Sequence, residues 1–503
     1  MLTLSESQLL NEIPHFSNMP NLEQLNIELC EKLDKVDSSI GILKKLTLLN
    51  LRGCQKISSL PSTIQYLVSL KRLYLHSIAI DELPSSIHHL TQLQTLSIRG
   101  CENLRSLPSS ICRLKSLEEL DLYGCSNLGT FPEIMENMEW LTELNLSGTH
   151  VKGLPSSIEY LNHLTRLELR CCKNLRSLPS SIWRLKSLEE LDLFGCSNLE
   201  TFPEIMEDME CLMELNLSRT CIKELPPSIG YLNHLTFLGL QCCQNLRSLP
   251  SSICRLKSLE ELDLYYCSNL EIFPEIMENM ECLIKLDLSG THIKELPSSI
   301  EYLNHLTSMR LVECKNLRSL PSSICRLKFL EKLNLYGCSH LETFPEIMED
   351  MECLKKLDLS GTSIKKLPSS IGYLNHLTSF RLSYCTNLRS LPSSIGGLKS
   401  LTKLSLSGRP NRVTEQLFLS KNNIHHIPSV ISQLCNLECL DISHCKMLEE
   451  IPDLPSSLRE IDAHGCTGLG TLSSPSSLLW SSLLKWFKKV EVQFLFEFFF
   501  PVF

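Results

Sequence analysis

The apolar positions of this chain recur with two nested periods. Between residues 93 and 376 a 71-residue pattern is written four times, opening at Leu93, Leu164, Leu235 and Leu306, and a fifth copy begins at Leu377. Segments 104–120, 175–191 and 246–262 read LRSLPSSICRLKSLEEL, LRSLPSSIWRLKSLEEL and LRSLPSSICRLKSLEEL. Each copy divides again into 24, 24 and 23 residues, as at Leu93, Leu117, Leu141 and Leu164. Such near-identity reports tandem copying of a unit that stacks on itself, not a set of independent globular cores. Within a unit Leu120 and Leu122 are two apart, so both point to one face of a short strand, while Glu119, Asp121 and Tyr123 point to the other. Leu128 and Phe131 turn back to the apolar side, and Pro132, which has no N–H, ends that passage. The return that follows is expected as a short helical or 3₁₀ turn with Ile134, Met135 and Met138 facing inward. The recurring pairs Met135/Met138, Met206/Met209, Met277/Met280 and Met348/Met351 are assigned to the core on the same ground.

The 24-residue units read L-x-x-L-x-L-x-x-C-x-x-L-x-x-(L/F)-P, and twenty registered openings run from Leu22 to Leu458. This leucine-rich-repeat pattern predicts an α/β fold: a leucine-rich-repeat solenoid, horseshoe or arc, with a parallel β-sheet on the concave face and short 3₁₀, helical or irregular returns on the convex face. Ordering one unit costs about 1.5 kcal/mol per residue, and one unit buries little, so stability must come from stacking on both neighbours. Residues 1–21 match an incomplete unit that lacks its opening, which implies further repeats or a domain upstream. Residues 22–477 form the solenoid, with the four close copies at 93–376 and an irregular unit near 401–416. Residues 478–503 are a tail: a short amphipathic helix, then an aromatic apolar segment interrupted by Glu497 and too short to span a bilayer.

Composition changes this picture little. The 503 residues carry 48 Lys+Arg against 57 Asp+Glu, a net charge of −9 with no basic cluster, which argues against a nucleic-acid partner. Thirteen of the 24 cysteines stand at position nine of a unit: Cys30, Cys54, Cys101, Cys125, Cys172, Cys196, Cys243, Cys267, Cys314, Cys338, Cys385, Cys445 and Cys466. Thr149, Thr220, Thr291 and Thr362 take that place in the short units. Buried reduced thiols serving the backbone of the adjacent turn are expected, with Thr filling the same role. A disulfide framework or metal site finds no paired C-x-x-C spacing. The N-terminal MLTLSESQLLNEIPHF is polar and broken by Pro14, unlike a secretory signal, so the expected compartment is cytoplasmic, with the nucleus as a second location.

No phosphate loop G-x-x-x-x-G-K-[ST] and no H-E-x-x-H occur. GCTGLG at 465–470 has its glycines in the wrong order for a dinucleotide loop. His163, His234, His305 and His376 recur once per long copy, too far apart to share a role. The reading is therefore non-enzymatic, with no catalytic, cofactor or metal residues. The candidate site is the concave face, read as a protein-binding surface. The second unit of each copy carries acids and an aromatic there: Glu118, Glu119, Asp121 and Tyr123; Glu189, Glu190, Asp192 and Phe194; Glu260, Glu261, Asp263 and Tyr265. In the first unit Arg166 and Phe237 hold the place of Thr95, Ser308 and Ser379. By the fourth copy the sign has moved, with Lys332 and Tyr336 followed by Lys355 and Lys356. The face is thus expected to be acidic with aromatic steps for three copies and then basic. Aromatics set among charges are usual interface anchors.

The repeated L-x-x-L-x-L-x-x-C-x-x-L-x-x-L-P-S-S-I resembles the repeat region of plant intracellular immune receptors, the Toll/interleukin-1-receptor-type nucleotide-binding leucine-rich-repeat disease resistance proteins (TIR-NB-LRR), over roughly residues 1–490. The likeness is sharpest at 437–490, with LECLDISHCKMLEEIPDLPSSLREIDAHGC and SSLLWSSLLKWFKK. In that family a Toll-like domain cleaves NAD and a nucleotide-binding module switches between ADP and ATP forms. The repeats hold that switch off and recognise effectors, and a jelly-roll-like domain usually follows them. This sequence shows neither of the first two, and FLFEFFFPVF stands where the last would begin. The resemblance therefore implies only the recognition and restraint role. Its implied partners are a pathogen effector, a guarded host protein, or the receptor's own nucleotide-binding domain in a longer chain, and no membrane. A free-standing scaffold, similar to Ras-group repeat proteins with L-P-x-x-I returns, and a non-functional fragment are the alternatives.

Overall fold

The computed structural model describes residues 1–349, 351–404, 422–463 and 465–469, in two compact units, Met1–Lys285 and Leu286–Phe503. In the first, twelve short strands lie parallel, each paired with the next coil's strand along the chain, from Leu2–Thr3 and Gln24–Asn26 to Phe237–Gly239 and Glu261–Asp263. The register follows the leucines: Leu96 lies beside Leu120, Leu120 beside Leu144, Leu144 beside Leu167. The ladder runs on past the strand ends, with Leu122 N–H donating to the Asn145 carbonyl at 2.8 Å and Gly124 N–H to Ser147 at 2.7 Å. In the second unit the strands Ser308–Arg310, Lys332–Asn334, Lys356–Asp358, Ser379–Arg381, Lys403–Leu404, Cys439–Asp441 and Glu460–Asp462 pair in the same parallel order. Each unit is a leucine-rich-repeat solenoid. The irregular stretch near 401–416, most of it, and the tail 478–503 lie outside the described residues.

The L-P-S-S-I returns become 3₁₀ turns, as at Ser109–Arg113, Ser156–Tyr160, Ser180–Arg184 and Ser251–Arg255. The preceding proline is extended, and its carbonyl accepts the isoleucine N–H three residues on, 3.0 Å from Pro108 to Ile111. Three residues per turn then bring Ile111 and Leu114 to the same side, and both are fully buried. The returns of the middle coils differ from expectation. Residues 132–138 form no 3₁₀ turn, and the Ile134 N–H is taken by the Ser157 hydroxyl at 2.9 Å. Without a three-residue period Ile134 and Met138 still point inward, but Met135 points out and is 76% exposed. Met206, Met277 and Met348 do the same. The assignment of all eight methionines to the core is therefore corrected: only Met138, Met209, Met280 and Met351 belong to it.

Position nine is a buried ladder of thiols. Cys101 Sγ donates to the Leu75 carbonyl, Cys125 to Ile98 and Cys196 to Leu169, each at 2.9 Å and each in the preceding coil. A thiol can donate only while protonated, and burial pushes Cys101 up to about 11 and Cys125 up to about 12. Threonine does a different task from the one expected. The Thr149 hydroxyl donates to Leu146, three residues back in its own coil, at 2.6 Å, and Thr220 to Leu217 at 2.7 Å. The Leu146 carbonyl also takes the Cys172 thiol at 3.1 Å, so threonine adds a bond within the coil and leaves the bond between coils to the next cysteine.

Candidate functional site

In each unit the sheet leaves one face of its strands uncovered, and four positions of each described coil face that side. Glu118, Glu189, Glu260 and Lys355 stand just before their strands, at the leading edge. Glu119, Arg166, Glu190, Phe237 and Glu261 form the first column in the first unit, and Lys332 and Lys356 in the second. Asp121, Asp192 and Asp263 take the middle column. Tyr123, Phe194, Tyr265 and, in the second unit, Tyr336 stand just past the strand.

The middle column is turned over to the backbone. Asp121 Oδ1 accepts the Tyr123 N–H at 3.0 Å, Asp192 Oδ1 that of Phe194 at 2.8 Å, and Asp263 Oδ1 that of Tyr265 at 3.0 Å. Asn145, Asn334 and Asp358 make the same bond to Ser147, Tyr336 and Ser360. A short acid or amide in mid-strand thus closes the turn two residues on and aims the aromatic that follows. The three aspartates are buried, at 7–8% exposure, so they support the face and offer it little charge. Burial pushes the Asp192 carboxyl up, against the Phe194 N–H bond that holds it down.

The first column is knitted across coils. The Arg166 guanidinium reaches Glu143 at 3.1 Å and Glu190 at 3.2 Å, one on each side. Glu119 lies beside Glu143 in register, and burial, then the Glu143 and Asp121 charges, push its carboxyl up. Glu168 is raised by burial and by Glu190 and Asp192. At the leading edge Glu118 accepts the Gln94 amide at 2.9 Å. In the second unit Lys355 pairs with Glu331 at 2.8 Å, Arg310 with Asp287 at 3.4 Å and Arg381 with Asp358 at 3.6 Å.

The aromatic column is where the first unit offers contact area. Tyr123 is 48% exposed, with the Arg99 guanidinium 4.9 Å from its ring. Phe194 has two such neighbours, Arg170 at 5.3 Å and Arg219 at 5.2 Å. Tyr265 packs edge-on against Tyr266 at 4.6 Å between ring centres. A cation over an exposed ring contributes ~0.5–1 kcal/mol, enough to fix the ring's pose. The pattern of a single unit does not single out Arg99, Arg170, Arg219, Glu143, Glu168 or Tyr266. Most of their partners stand one coil away in the sequence. Writing successive units beneath one another places Arg166 between Glu143 and Glu190, and that is the signal that finds them.

The arrangement suits binding. Among the described residues no group of three or more His, Cys, Asp or Glu is placed to hold a metal ion, and no helix is long and apolar enough to cross a membrane.

A family model described as Disease resistance protein RPS4B-like, leucine-rich repeats, matches residues 113–186, 184–258, 255–339 and 326–412. Models of a leucine-rich repeat region and of a single leucine-rich repeat match residues 2–145 and 436–458. Among curated proteins the chain is similar to Disease resistance-like protein DSC1 of Arabidopsis thaliana, 46% identical over 61 residues, and to Disease resistance protein RPS4 of the same plant, 44% over 62 residues. TMV resistance protein N of Nicotiana glutinosa is 44% identical over 52 residues. These stretches are 12%, 12% and 10% of this chain and 5%, 5% and 4% of the relatives, so the match spans a small part of their length. A leucine-rich-repeat protein of Leptospira interrogans superposes with a TM-score of 0.52 at 26% identity, over 98% of this chain and 95% of that one. The structure of the Drosophila Toll–Spatzle complex matches with a TM-score of 0.60 at 18% identity, over 82% and 55%, a likeness of fold alone.

Proposed function

Because this chain belongs to the leucine-rich-repeat family of RPS4B-like disease resistance proteins, we propose that its exposed sheet face recognises a protein in plant defence. The partner is a pathogen effector or a host protein on which an effector acts, met in the cytoplasm or nucleus. Within a longer chain of the family's kind, the same repeats would also restrain the receptor's nucleotide-binding domain. The observation that carries the reading is the contrast between the two sides of one strand. Leu96, Leu167 and Leu238 are identical and fully buried, while beside them in the same strands Thr95, Arg166 and Phe237 differ at one place on the open face, half-buried or exposed. Around that place stand Tyr123, Phe194 and Tyr265, rigid rings of the kind that anchor interfaces.

The test reverses charge without touching the turns. Asp121 is left intact, because its carboxylate holds the Tyr123 N–H. Glu118→Lys with Glu119→Lys, and separately Tyr123→Ala, are compared with the parent chain for binding to a panel of purified pathogen effectors. Circular dichroism checks the fold. The reading expects at least tenfold weaker binding with an unchanged spectrum. Unchanged binding by both variants would overturn it.

A further inference from the structure

Arg219 occupies a place that the short units of the other three close copies give to glycine. Ser-Gly-Thr stands at 147–149, 289–291 and 360–362, and Ser-Arg-Thr at 218–220. The backbone there is left-handed throughout, with φ of +72° at Gly148 and Gly290, +71° at Gly361 and +59° at Arg219. An L side chain is disfavoured in that region. Cys171, Cys242 and Tyr266 accept the same turn in other coils, so strain by itself distinguishes nothing. The guanidinium does. It is exposed, lies 5.2 Å from the Phe194 ring and has no carboxylate partner among the described residues. Three other arginines of the face are paired with carboxylates: Arg99 with Asp121, Arg166 with Glu143 and Glu190, Arg170 with Asp192.

A guanidinium resting on a ring keeps its planar fork of donors in one orientation, ready for a planar acceptor. Resting on the reading of this face as a protein-recognition surface, we propose that Arg219, backed by Phe194, anchors the carboxylate of an acidic side chain on the protein partner. It is a cationic foothold on an acid-rich face. A partner carboxylate that slid from Arg219 toward the first column would approach Glu214 of the same coil or Glu190 of the preceding one instead, so repulsion helps set the register in which the partner lies.

The probe is a phage-displayed library of random dodecapeptides panned on the full chain and, in parallel, on R219G and Y123A variants. Arg219→Gly installs the residue that three sister units carry, so the melting temperature should hold or rise. Clones recovered on the parent chain should bind R219G at least tenfold more weakly and share an aspartate or glutamate at a fixed position. Arg219→Lys, which keeps the charge and loses the fork, should fall between. Equal recovery on parent and R219G overturns the proposal, as does a dependent set of clones without a shared acid. If clones respond to Tyr123→Ala and not to Arg219→Gly, the anchor fails and the recognition face stands. If they respond to neither, both fail.

Discussion

Leu193→Ala is the sharpest test of which side of the strand is inside. Leu193 is fully buried, between Leu169 and Leu217 of the neighbouring coils, which are also fully buried. Its backbone is pinned on both sides: its N–H donates to the Asn216 carbonyl at 2.8 Å and its carbonyl accepts the Cys196 N–H at 3.1 Å. Truncation removes three carbons, about 2.4 kcal/mol at ~0.8 kcal/mol for each buried methylene. A cavity term is added, and it is large where the walls cannot collapse. The adjacent leucines are held by ladder bonds of their own, so a total of about 3–4 kcal/mol is expected, within the range seen for such changes. Glu189, four positions earlier, is exposed at the leading edge, and Glu189→Ala should cost under ~0.5 kcal/mol. A solenoid opens locally, so urea unfolding followed by circular dichroism should be paired with amide hydrogen exchange. Exchange in the coils around residues 167–217 should quicken on the order of a hundredfold in Leu193→Ala, since about 1.4 kcal/mol is tenfold. Equal costs for the two substitutions would refute the inside/outside assignment.

Three further outcomes follow from the same geometry. Asp192→Ala should lose about 1–2 kcal/mol by releasing the Phe194 N–H, whereas Asp192→Asn should be close to neutral, because Asn145 and Asn334 make the equivalent bond; equal losses in thermal melts would sink the turn-closing role. Met135→Ala should change stability by less than ~0.5 kcal/mol and Met138→Ala should cost about 2–5 kcal/mol, a contrast readable in the same urea experiment. Glu119 has a folded-state pKa raised by burial and by Glu143, so its ionised form destabilises the fold above that raised value, and the penalty fades as pH falls into the ordinary carboxylate range. Glu119→Gln should therefore stabilise the chain at neutral pH, by under about 1 kcal/mol given solvent screening, with the gain shrinking on acidification; a gain that grows toward low pH would contradict the sign.

The strands and the 3₁₀ returns are legible in the sequence because each follows from spacing alone. Leu120 and Leu122 two apart give one buried face, and Pro108 followed by Ile111 and Leu114 gives a three-residue period. The returns at 132–138 mislead because Met135 aligns with core positions of other units by count, while its direction depends on a turn that does not form there. The serine that takes the Ile134 N–H, Ser157, belongs to the next coil. Local pattern carries no trace of such a bond. The aspartates show the same limit from the other side. Asp121 alternates with leucine as a surface charge would, yet its carboxylate is spent on a backbone N–H two positions away, a use that hydropathy cannot distinguish from exposure.

What remains exposed is what the repeat leaves free to change. The core of each coil is fixed by its neighbours, since Leu120 must meet Leu96 and Leu144 in register, and Cys125 must reach the carbonyl of Ile98. A substitution at any of these breaks contacts on two sides. At the place of Thr95, Arg166 and Phe237 no such condition holds beyond solubility and tolerable charge from one coil to the next. Arg166 meets that condition by standing between Glu143 and Glu190. Near-identical copies therefore supply a rigid lattice whose face can be altered one coil at a time, with little penalty to the stack. A recognition surface requires that separation, and it is the physical reason for proposing recognition at the exposed columns and placing stability in the leucines and cysteines beneath them.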